Sequence, residues 1–173
     1  GLELETRVKT HWSGKIAIES DIDNVAQKFD LITSFHVLEH HPDPAQMLTS
    51  LASKLTPDGT LVVEIPSADD ALLTLYGSEE FSNFTHWSQH LYLFNPETLR
   101  RVAERAGLSV TVVHQVQRYP LSNHLYWLSQ GRPGGHERWS FLNGPLLDAA
   151  YAQTLGAVGK CDTLVAYLKI AEE

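Results

Sequence analysis

The chain has 173 residues, enough for one domain with a single core, and its 43% hydrophobic and 20% charged content is ordinary for a globular protein. Its formal charge of −8 has no compensating basic stripe, which speaks against a nucleic-acid binder that tracks phosphates. No apolar run reaches the ~20 residues of a membrane helix. A single cysteine, Cys161, excludes an internal disulfide framework, so a cytoplasmic setting away from membranes is expected.

Short apolar strands alternate with amphipathic helices, the pattern of an α/β layer fold. Lys15–Glu19 alternates as a short strand. Phe29–Phe35 (FDLITSF) is near-continuously apolar after its Asp and is predicted to be a strand buried on both faces. A helix follows, with Asp43 as its cap, Pro44 at its first position and Met47, Leu48, Leu51 and Leu55 on one stripe. Pro57-Asp58-Gly59 is predicted to turn the chain into a second buried strand, Thr60–Ile65, stopped by Pro66. Strand, helix and strand in that order imply a parallel crossover.

Residues 67–93 lack a clear period and are predicted to form a long connection with one helical piece. Asn95-Pro96 opens a helix whose apolar face is Leu99, Val102, Ala103 and Ala106, with Gly107 at its C-terminal cap. Leu108–Gln117 and Thr163–Ile170 read as strands. Between them lie about forty residues, far longer than ordinary connections, with one predicted helix over Pro145–Leu155. Segments of that length serve as lids or as packed accessory subdomains.

The run Phe29–Pro44, FDLITSFHVLEHHPDP, is followed by LTPDGTLVVEIP over Leu55–Pro66 and by His90-Leu91-Tyr92-Leu93-Phe94. Together these resemble the central strands of class I S-adenosylmethionine-dependent methyltransferases, in particular the small-molecule branch that includes ubiquinone-biosynthesis O-methyltransferases. Asp58-Gly59 stands where that branch usually has a double glycine. The resemblance covers residues 1–118 and the final strand. It implies a Rossmann-like α/β methyltransferase sheet, incomplete at its N-terminal side, whose last strand runs antiparallel beside Leu108–Gln117. Residues 1–118 are then a partial core, 119–161 an insertion or lid with one helix, and 162–173 the returning strand. No G-x-G-x-x-G occurs in the sequence, so the chain is expected to begin just after that loop, to be inactive by itself and to expose a sheet edge suited to a homodimer.

The resemblance also implies site residues. Glu3 takes the position of the ribose ligand of S-adenosylmethionine, and Asp21 with Ile22 that of the adenine contact, with Asp23 as a competing register. Phe35 and His36 line the methyl-donor pocket. The acceptor is a small molecule methylated on oxygen, with a histidine as general base; His90 is preferred, then His40, then His86, because imidazole exchanges a proton near neutral pH. Glu39, Glu64, His124 and Tyr126 are assigned to the acceptor. His36-x-x-Glu39-His40 also matches the H-x-x-E-H zinc-hydrolase pattern, although Pro42 would break its helix and spacing supplies no third ligand, so no metal is assigned. A divalent ion on Glu39 and His40 that polarises a catechol-like acceptor is the alternative preferred to zinc, since some relatives of the branch use metal. A degenerate methyltransferase fold serving as a binding or scaffold module is the non-enzymatic alternative.

Overall fold

The computed structural model describes residues 17–86 and 89–172. Its strands are β1 (Phe29–Phe35), β2 (Leu55–Pro66), β3 (Leu108–Val116) and β4 (Thr163–Ile170). Its α-helices are α1 (Pro44–Ala52), α2 (Ala71–Thr74), α3 (Glu79–Thr85), α4 (Pro96–Arg105), α5 (Leu121–Gln130), α6 (Gly135–Arg138) and α7 (Pro145–Ala157). The sheet order is β1-β2-β4-β3, with β1 parallel to β2 and β4 antiparallel to both β2 and β3. The expected antiparallel last strand is therefore present beside β3. Of the strand predicted over Lys15–Glu19, Lys15 and Ile16 lie outside the described residues, and Glu19 holds a single bridge.

The β2–β4 ladder carries the core. Leu61 faces Leu168, Val63 faces Ala166 and Ile65 faces Leu164, and all six side chains are fully buried. Because side chains alternate with period two, this register puts every apolar partner on one face. Helices α1 and α4 cover that face with Leu48, Leu51, Leu99 and Ala103. Both helices start as the sequence predicts. Asp43 accepts the Gln46 N–H at 3.0 Å, and Asn95 forms a capping box with Thr98. Gly107 ends α4 at φ 73°, the left-handed conformation that glycine adopts without strain.

Several expectations are corrected. β1 is not buried on both faces: Leu31 is 59% and Phe35 52% exposed, because among the described residues β1 ends the sheet and no helix packs closely on it. Pro57-Asp58-Gly59 is not a turn that precedes a strand. It lies inside β2 as a bulge, where β2 passes Thr56–Gly59 while β1 passes only Asp30. The connection 67–93 holds two α-helices, α2 and α3, each short and capped by Asp70 or Ser78. Segment 119–161 holds three, α5, α6 and α7, rather than one. α5 escaped prediction because Ser122, Asn123 and His124, all polar, form part of its buried surface and erase the apolar period. Cys161 is a buried thiol packed with Ala71 and Leu155, and burial pushes it up to about 11. Among the described residues no helix is long and apolar enough to cross a membrane.

The bulge makes Gly59 a sensitive position. A Cβ there would lie 2.9 Å from the Phe29 carbonyl oxygen and 3.0 Å from that of Thr56, both backbone atoms with little room to move. Gly59→Ala is expected to cost about 1–3 kcal/mol by overpacking, read as a lower urea midpoint at unchanged slope.

Candidate functional site

A cavity of about 420 Å³ opens at the carboxyl ends of β1, β2 and β3. Open α/β sheets bind ligands at this edge, where the loops after the strands converge. His36, directly after β1, stands at φ 52°. A short 3-10 turn, Leu38–His40, follows and buries Glu39 completely. The backbone carbonyl of Glu39 accepts the N–H groups of Leu91 at 2.9 Å and Tyr92 at 3.3 Å. These two bonds hold the segment after α3 against the turn after β1 and bring His90 beside His40.

The two rings lie 4.9 Å apart between centroids. His40 gives its Nδ1–H to the Gln89 carbonyl at 2.5 Å, and His90 gives its Nδ1–H to the Thr85 carbonyl at 2.8 Å. Each acceptor is a carbonyl, so each neutral ring keeps its lone pair on Nε2, and that of His40 lies 3.8 Å from Oε1 of Glu39. Ligand atoms of Glu39, His40 and His90 lie within 4.8 Å of one another, and Oε2 of Glu39 is buried without a hydrogen-bond partner. Two free imidazole nitrogens and an orphaned carboxylate oxygen are a donor set that suits a divalent ion.

His36 faces elsewhere. Its Nδ1 meets Oε1 of Glu39 at 3.3 Å and its Nε2 meets Oε1 of Glu64 at 3.0 Å. Arg118, just past β3, contacts His36 and pairs with Glu64 at 3.2 Å. The hydrogen bond to Glu39 raises His36 above the ordinary imidazole value, against burial and the Arg118 charge. The zinc-hydrolase pattern is thereby corrected. Leu38–His40 makes one tight turn, not a helix, and His36 is turned to Glu64 while His40 is turned to Gln89.

The far wall belongs to segment 119–161 and the start of β4. Asp162 accepts the N–H groups of Arg118 at 3.0 Å and Tyr119 at 2.9 Å, the Gln117 amide at 2.8 Å and the Thr163 hydroxyl at 2.7 Å. Burial pushes its carboxyl up while these donors pull it down. Gln117 also reaches His124 Nε2 at 3.2 Å, and His124 Nδ1 meets the Tyr151 hydroxyl at 2.7 Å. Burial lowers His124 to about 4 and raises the Tyr151 hydroxyl.

A family model described as a methyltransferase domain matches residues 6–113, more than half of the chain. The chain belongs to this family. The methyltransferase domain is 32% identical over 102 residues to a ubiquinone biosynthesis O-methyltransferase of Coxiella burnetii, covering 57% of this chain and 44% of that protein. It is 29% identical over 126 residues to the protein of that name from Aeromonas salmonicida, covering 69% of this chain and 52% of the relative. It therefore spans about half the length of the curated relatives it matches. A solved S-adenosylmethionine-dependent methyltransferase of Archaeoglobus fulgidus shares the fold at a TM-score of 0.61 and 16% identity, covering 98% of this chain and 74% of that one.

Within this methyltransferase domain the cavity gathers His36, Glu39, His40, His90 and His124 from the sequence-predicted residues, and Glu64 adjoins it through His36 and Arg118. Others stand apart from it. Glu3 lies outside the described residues. Asp21 caps the turn Ile22–Asn24 by accepting the Asp23 N–H at 3.0 Å, and Ile22 packs on the core. Phe35 is exposed beside the cavity lining rather than within it. His86 bonds back to the Ser82 carbonyl at the end of α3. Tyr126 is turned away to Trp139, edge-on at 5.2 Å, and it is the next residue, Trp127, that lines the cavity.

Sequence reasoning missed Arg118, Asp70 and Asp162 as cavity residues. Only element ends mark them: Arg118 stands two residues past β3, and Asp70 and Asp162 stand just before α2 and β4.

Asp70 and His124 give the domain opposing acid responses. Burial holds Asp70 up to about 7, so the folded state keeps a proton that the unfolded state loses near 4, and this stabilising term fades as pH rises toward 7. His124, held down to about 4, stays neutral while the unfolded imidazole charges below about 6.5, so its term fades as pH falls toward 4. The two slopes cancel between pH 4 and 6.5. Asp70→Asn leaves the His124 slope alone, and its stability relative to wild type is expected to fall by about 1.4 kcal/mol per pH unit of acidification. Urea unfolding at pH 6.5 and 5 measures that difference, and parallel curves would contradict it.

Proposed function

We propose that this chain forms the acceptor side of an S-adenosylmethionine-dependent methyltransferase acting on an oxygen of a small molecule, with His90 as general base. The observation that carries the reading is the pair of imidazoles His40 and His90, both anchored through Nδ1 with Nε2 free, in a cavity at the carboxyl edge of the sheet. The names of the curated relatives, O-methyltransferases, support oxygen as the methylated atom.

S-adenosylmethionine, when bound, would supply an electrophilic methyl group, its S–CH3 bond breaking to leave S-adenosylhomocysteine. Phe35, exposed at the end of β1, and Asp21, whose Oδ2 has no partner among the described residues, fit the donor side. The acceptor hydroxyl loses its proton to His90 Nε2 as its oxygen takes the methyl, and the Thr85 carbonyl stabilises the resulting imidazolium through Nδ1–H. Leu72, Phe81 and Trp127 supply apolar wall, which excludes water and strengthens each polar contact within.

Transfer of labelled methyl from S-adenosylmethionine to catechol, measured with the whole gene product that contains this chain, tests this reading. His90→Ala is expected to lower turnover by about 10²–10⁴-fold, with His40→Ala smaller. Activity of both variants within twofold of wild type would remove the base. Absence of both transfer and S-adenosylhomocysteine binding would favour a binding module instead.

A second reading has its own observation in the Glu39–His40–His90 set with its orphaned Oε2. There these residues hold a divalent ion that polarises the acceptor oxygen. Dialysis against a chelator decides between the two. Loss of activity restored by manganese supports the ion, whereas unchanged activity supports the free base.

A further inference from the structure

Three carboxyl groups line the cavity: Glu39, Asp70 and Asp162. Glu39 has one oxygen on His36 and the other enclosed without a partner near His40 and His90, and Asp162 is filled by donors from Gln117, Arg118, Tyr119 and Thr163. Asp70 differs. It is only 4% exposed, its Oδ1 accepts the Leu72 N–H at 2.6 Å, and its Oδ2 has no donor among the described residues. Among the described residues no cation pairs with it either, since Lys160 lies by Asp69 at 3.9 Å and Arg118 by Glu64 at 3.2 Å.

A buried carboxyl without a counter-charge is costly as an anion, and burial holds this one at about 7 with Asp162 adding to the effect. A cation entering the cavity would relieve that cost. Asp70 caps α2, which packs on α3, and α3 carries Phe81 and Phe84 into the same cavity. Those rings meet Trp127 at 5.2 and 5.1 Å between centroids. Clustered aromatic rings and a carboxylate that line one cavity are a combination suited to an ammonium group.

We propose that the acceptor carries an aliphatic ammonium group, seated between the Asp70 carboxylate and the wall of Phe81, Phe84 and Trp127. The ammonium anchors the acceptor and is separate from the oxygen that is methylated; the inference rests on the cavity being the acceptor site. Asp162 does not compete for this cation, since its donors already engage both of its oxygens, and Glu39 is fully buried beside His36, His40 and His90. Arg118 does not repel it strongly, because Glu64 offsets its charge.

Calorimetric titration with dopamine, 4-methylcatechol and 3,4-dihydroxyphenylacetate tests the charge preference on one ring scaffold. Dopamine is expected to bind about tenfold more tightly than 4-methylcatechol, and the carboxylate most weakly. Asp70→Asn should remove the preference while keeping an acceptor at the cap of α2. Phe84→Leu, at an exposed ring, should reduce the preference several-fold without a change in Tm, and decides the matter if Asp70→Asn fails to fold. Equal affinities for the three, or tightest binding of the carboxylate, would overturn the ammonium site and leave the acceptor cavity standing. Binding of none of them would overturn both.

Discussion

The entry of β4 between β2 and β3 is the constraint on which the other features rest. The strand brings Leu164, Ala166 and Leu168 against Ile65, Val63 and Leu61, and each large side chain so buried contributes about 1.5–3 kcal/mol. An exposed ion pair such as Arg101–Glu97 contributes about 0–1 kcal/mol, so apolar register, not surface charge, holds β4 in place. Because β4 runs antiparallel, it begins where β2 and β3 end. Asp162, the residue before it, therefore stands at the carboxyl edge and collects the backbone of Arg118 and Tyr119.

That placement joins the segment before β4 to the sheet. From Asp162, hydrogen bonds continue through Gln117 to His124 on α5, then to Tyr151 on α7 and to Tyr76 after α2 at 3.0 Å. Buried polar groups are costly when unpaired and rigid when satisfied. The far wall of the cavity is thus fixed by polar contacts with single solutions, whereas the core face is fixed by volume and register.

The opposite wall depends on a smaller device. One carbonyl, that of Glu39, accepts two N–H groups from the segment that carries His90. Its carboxylate is enclosed at the same time, with one oxygen toward His36 and the other without a partner. A buried, partly satisfied acid beside two anchored imidazoles is the arrangement expected where a proton or an ion is handled.

Much of the architecture was legible along the chain. The Asp43 and Asn95 caps and the approximate bounds of β3 and β4 follow from local chemistry and period, the pairing of those two strands was implied by the family resemblance, and His36, Glu39, His40 and His90 stood in readable motifs. Tertiary structure decided the rest, because contact between distant residues leaves no period to read. It set His36 toward Glu64 and His90 toward the cavity, chose Trp127 over Tyr126 as the lining ring, and among the described residues left β1 exposed at the end of the sheet. It also brought Asp70, Arg118 and Asp162 to one cavity. Each is an ordinary polar residue beside a strand or helix end until the crossing of β4 with β2 and β3 places those ends together.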